Sequence, residues 1–62
     1  MDTRDLKAAL RTTLMEKQAL VRDYQTFAQQ INDPEVAKLY YHFAEAEALH
    51  ATQIKEQLEK MQ

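Results

Sequence analysis

Apolar residues recur along this 62-residue chain at intervals of three and four, the spacing that lines one side of an α-helix. In the first half they are Leu6, Leu10, Leu14, Leu20, Val21, Tyr24, Phe27, Ala28 and Ile31. In the second half Val36, Phe43, Ile54 and Met61 fall on one line, taking about 100° of turn per residue. An alanine stripe (Ala37, Ala44, Ala48, Ala51) runs beside that line. A single breaker interrupts the pattern, at Asn32-Asp33-Pro34-Glu35. Asp33 is a good N-cap, Pro34 suits the first helical position, and Glu35 complements the positive helix end. Asn32 can adopt the left-handed conformation that closes the preceding helix. The pattern predicts an all-α, single-domain chain: an antiparallel two-helix hairpin with helices over about 3–31 and about 34–61.

Both apolar arcs are wider than one partner helix can cover. The alanines permit close approach of a further helix. The simplest way to cover both arcs is a homodimer, or a larger homo-oligomer, that forms a four-helix bundle. Composition agrees. The chain has no glycine, one proline and no cysteine, so neither turns nor disulfides compete with helix. At this length a self-sufficient core is marginal, which also favours association.

Charge narrows the function classes. A net charge of −2 and a pI near 5.5, with the basic residues scattered, offer no electrostatic footprint for nucleic acid. No apolar run approaches the roughly 20 residues of a membrane span, and no signal-peptide pattern opens the chain. The expectation is a soluble, cytoplasmic protein with neither a nucleic-acid nor a membrane partner. No Ser/His/Asp or Cys/His set and no phosphate loop is present, which argues against a hydrolase.

Two polar residues, Glu47 and His50, fall inside the helix 2 stripe, between Phe43 and Ile54. A carboxylate left unpaired in a dry core costs several kcal/mol or takes up a proton, so Glu47 needs a partner. Folding the chain about residues 32–33 sets Phe27 near Val36, Tyr24 near Tyr40, Leu20 near Phe43, Leu10 near Ile54 and Leu6 near Leu58. Glu16 and Lys17 come level with Glu47, and Thr13 with His50. Glu16 lies roughly 20–60° from Leu20, Phe27 and Thr13 on the helical wheel and can point inward. Tyr24 is about 12 Å further along the helix than Glu16, too far to join it. Tyr24, Phe27, Tyr40 and Phe43 read as plain core; His42 and Glu45 read as solvated.

Two chemistries suit this polar layer. A Glu-x-x-His pair on an inward helix face is how helical bundles hold metal ions. A dimer would supply Glu16, Glu47 and His50 twice over, an oxygen-rich set with one imidazole per metal that suits di-iron or manganese, with zinc also possible. Such a pair of metals can hold O2 or peroxide and accept electrons from iron(II), a ferroxidase-like oxidoreductase activity. His50 would donate its second ring nitrogen to Thr13 or a backbone carbonyl. The competing chemistry is a buried salt bridge from Lys17 to Glu47, with His50 a neutral core histidine bonded to Thr13 or Glu47.

At these residues the chain resembles the ferritin-like superfamily, and rubrerythrin most. Asp33-Pro34-Glu35-Val36 through Phe43-Ala44-Glu45-Ala46-Glu47-Ala48-Leu49-His50-Ala51 is similar to the rubrerythrin helix that reads DPE-V…A-E-x-E-x-x-H-A. The segment with Glu16, Tyr24 and Ala28 looks like its partner helix. The resemblance covers about residues 13–58, half of a four-helix ferritin-like domain. It implies a di-iron site built across a dimer, as in the half-length encapsulated ferritins, with Glu16, Glu47 and His50 as metal ligands. The rubrerythrin glutamate usually precedes its tyrosine by seven residues; Glu16 precedes Tyr24 by eight, so a gapless match sets Lys17 nearer that position. The segment Lys17-x-x-Leu20-Val21-x-Asp23-Tyr24 is also similar to the spore coat F-like proteins. That likeness implies a non-catalytic assembly protein whose polar layer sets helix register.

Overall fold

The computed structural model describes residues 1–62 and contains two α-helices, α1 (Thr3–Gln30) and α2 (Pro34–Lys60). They pack antiparallel as a rod of 46 × 15 × 14 Å. Neither helix is long and apolar enough to cross a membrane.

Capping sets the boundaries. Asp2 accepts from the Asp5 N–H at 3.0 Å and starts α1. Asp33 accepts from the N–H groups of Glu35 (2.9 Å) and Val36 (3.2 Å), and Pro34 opens α2. These carboxylates satisfy donors that no carbonyl can reach and lie at the positive ends of the helix dipoles. The end of α1 differs from expectation. Ile31 is extended, with φ −81° and ψ 125°, and its N–H still reaches the Phe27 carbonyl. No residue has positive φ, so Asn32 does not close the helix in the left-handed conformation. The rigid φ of Pro34 and the cap at Asp33 turn the chain without it.

The packing line between the helices is narrow and made of small residues. Ala28 from α1 and Ala44 and Ala51 from α2 are buried, together with Glu47. Around them α1 contributes Leu10, Leu14, Lys17, Val21 and Tyr24, all half-buried, and α2 contributes Tyr40, Ile54 and Leu58. Alanines let the two helices of one hairpin approach closely. The alanine stripe therefore serves the hairpin itself, through Ala44 and Ala51, while Ala48 is exposed.

Towards the turn the alanines give way to rings. Tyr40 stacks edge-on against Tyr24, Phe27 and Phe43, with centroids 5.9, 5.9 and 5.4 Å apart, and Tyr24 meets Phe43 at 5.7 Å. Such tilted pairs contribute about 0.5–1.5 kcal/mol each beyond the area they bury. They tie the turn end of the hairpin together.

The bulkier apolar residues of α2 are left partly outside. Val36, Leu39 and Phe43 are 39, 48 and 40% exposed, and on α1 Leu6 and Phe27 are 43 and 46% exposed. All lie to the same angular side of the alanine line, offset by roughly 40–120°. Because the helices are antiparallel, that common offset places them on one side of the hairpin. Leu20, Glu16 and His50 fall within the same range. The hairpin thus has an apolar face open to solvent, with two polar residues near its middle, while Met15, Tyr41 and Leu49, 70, 44 and 58% exposed, lie to the other side of the alanine line.

Candidate functional site

Glu47 is the one buried charged residue. It stands in the packing line because it follows Tyr40 by seven residues, Ala44 by three, and precedes Ala51 by four. These are the spacings of one helix side. On α1, Lys17 occupies the matching place, seven residues after Leu10 and seven before Tyr24. The two side chains meet at mid-length of the hairpin. Lys17 Nζ donates to both carboxylate oxygens of Glu47, at 3.1 Å to Oε1 and 3.3 Å to Oε2.

His50 comes to the same carboxylate from one turn further along α2. Its Nδ1 lies 2.7 Å from Glu47 Oε1, so Nδ1 carries the proton and donates while Nε2 points away from the pair. Glu47 therefore accepts from two donors, one of them a full positive charge. Its carboxyl is held below the ordinary carboxylate range, first by the hydrogen bond from His50 and then by that from Lys17, against the opposing effect of burial. No buried polar side-chain atom in the hairpin lacks a partner. The charge of Glu47 is balanced within one chain.

The three residues expected as ligands are only partly brought together. Glu47 and His50 touch, as their i, i+3 spacing requires. Glu16 is exposed on the open face and forms no ion pair within the hairpin. Nowhere do three His, Asp or Glu side chains gather around one point. Thr13, expected to meet His50, instead donates its hydroxyl to the Ala9 carbonyl at 3.0 Å, the usual bond of a mid-helix threonine. His42 and Glu45 are solvated as expected and lie 3.8 Å apart.

This donor set does not fit a metal ion within a single hairpin. Only two candidate ligands converge, and both oxygens of the carboxylate already face an ammonium. A cation entering there would have to displace Lys17 from a bidentate contact. No protein-family model, curated protein or solved structure matches the chain.

Proposed function

We propose that this chain is a self-assembling helical hairpin, in which a second copy covers the open apolar face to make a four-helix bundle and the Lys17–Glu47–His50 layer sets helix register. The observation that carries this reading is the contact of the Lys17 ammonium with both oxygens of Glu47. It balances the buried charge inside the chain and leaves it no need of a cation. A polar layer inside an apolar line penalises any slip of one helix past the other, because a slip strands a charge among apolar groups. The likeness of the Lys17–Tyr24 segment to the spore coat F-like proteins supports an assembly role.

The open face supplies the driving force. Several large side chains that are 39–48% exposed on one side make an apolar surface unusual for a small monomer. Analytical ultracentrifugation tests the reading directly: the wild type sediments as a dimer or larger at micromolar concentration. Leu39→Ser, which changes a half-exposed residue outside the aromatic cluster, shifts it toward monomer. A folded wild-type monomer would remove the proposal.

A second reading follows from Glu16, which shares the open face with His50 at nearly the same level. A dimer could bring two copies of Glu16, Glu47 and His50 to one cavity, the di-iron or manganese arrangement that the resemblance to rubrerythrin implies. This reading requires Lys17 to leave Glu47 when metal enters. In it Glu47 and His50 bind the ion, and Glu16 reaches across from the second chain. Metal titration of the wild-type protein separates the two readings.

A further inference from the structure

Two kinds of two-fold axis can bring the open faces of two hairpins together. An axis along the rod puts both turns at the same end and sets α1 of one protomer against α2 of its partner. An axis across the rod puts the turns at opposite ends and sets α1 against α1. Glu16 lies at the middle of α1, so either axis can superpose the two polar layers. The faces they oppose are not equivalent.

The face is unevenly apolar. Its turn half carries Phe27, Val36, Leu39 and Phe43, 39–48% exposed, with Leu20, whereas its other half carries Gln57, the half-buried Ile54 and Met61 and the polar middle, with Leu6 its large exposed apolar residue. Only the axis along the rod lays the apolar half of one copy on the apolar half of the other. The charges agree with this. Across that axis Glu16 meets the partner's His50, the two levels differing by about two residues, roughly 3 Å of helical rise. Glu16 has no ion partner in its own chain, and there it lies beside the half-exposed His50 ring and not beside a second Glu16. Across the other axis Glu16 meets Glu16, a repulsion of like charges in a surface being desolvated.

We infer that the second copy docks on the open face with its turn at the same end, so that Glu16 of each protomer faces His50 of its partner. This rests on the self-assembly proposed above and specifies its geometry.

The chain has no cysteine, so Asn32→Cys in the exposed turn gives one unique site for a nitroxide label. Pulsed dipolar spectroscopy of the labelled full chain then reads the distance between turns. Same-end docking gives a distance below about 30 Å, two helix diameters plus the label tethers. A distance approaching the 46 Å length of the rod overturns the inference and leaves the dimer standing. Sedimentation as a monomer in the same sample overturns the self-assembly reading, and the inference with it.

Discussion

Replacing Ala44 by leucine tests whether the alanine line joins the two helices of one hairpin. Ala44 is only 3% exposed, where α2 lies against α1. Helices pack about 8–10 Å apart, and the short end of that range requires small side chains at the contact. Leucine adds three carbons where there is no free volume, so the helices separate or the side chain is forced from its rotamer. Overpacking of this kind costs about 1–3 kcal/mol. The separation also draws Glu47, less than one turn away, off Lys17. For a protein of this size urea acts with a slope near 1 kcal/mol per molar, so the unfolding midpoint should fall by about 1–3 M. Ala48→Leu provides the control, because Ala48 belongs to the same stripe in sequence but is exposed. Its effect should stay within about 0.5 kcal/mol. Both variants are compared by circular dichroism at one protein concentration, since the midpoint of an associating protein rises with concentration. If Ala44→Leu leaves the midpoint unchanged, or Ala48→Leu lowers it equally, the packing line has been misplaced and the alanines face another chain.

The polar layer makes two further predictions. The carboxyl of Glu47 is held below its ordinary range in the folded chain, so the unfolded state takes up the proton first as pH falls. Its contribution is therefore full above the ordinary carboxylate range and is lost as pH drops through the depressed folded value; urea midpoints followed into acid should show this fall, and Glu47→Gln should flatten it. Lys17→Met should lower the thermal midpoint more than Lys38→Met, an exposed lysine in no ion pair, because it leaves Glu47 with His50 alone; equal midpoints would show that the ammonium contributes nothing.

Much of this architecture was legible in the sequence because it rests on local rules. The Asp33-Pro34 start of α2 follows from capping and from the fixed φ of proline, and the layer pairing of Tyr24 with Tyr40 follows from folding the chain about that turn. The helix ends moved by one residue, with Ile31 and Met61 outside α1 and α2, since fraying ends carry little sequence signal. Which apolar line faces inward was harder to read. Periodicity finds both Val36-Phe43-Ile54-Met61 and the alanine stripe, but hydrophobicity alone ranks the bulky line as core. Close packing within a hairpin selects the small residues instead, and leaves Val36 and Phe43 at its margin. Glu16 and Lys17 differ by a single residue, about 100° of helix, and only inter-helix packing decides which of them meets Glu47. The signal for Lys17 was present, in its seven-residue spacing from Leu10 and from Tyr24. The Lys17–Glu47 salt bridge stood as the competing chemistry of the layer, and the Glu-x-x-His spacing with the likeness to rubrerythrin ranked Glu16 above it.

The central claim is that the buried charge of Glu47 is balanced by Lys17 within its own chain, so that the layer sets register and does not recruit a cation. Calorimetric titration of the wild-type protein with Fe(II) under anaerobic conditions, and separately with Mn(II) and Zn(II), tests it most directly. The account predicts no saturable binding below millimolar concentration and no rise in melting temperature with metal. Micromolar binding at about one to two ions per dimer, lost on Glu47→Gln and weakened by His50→Ala, would contradict it and establish the metal reading in its place.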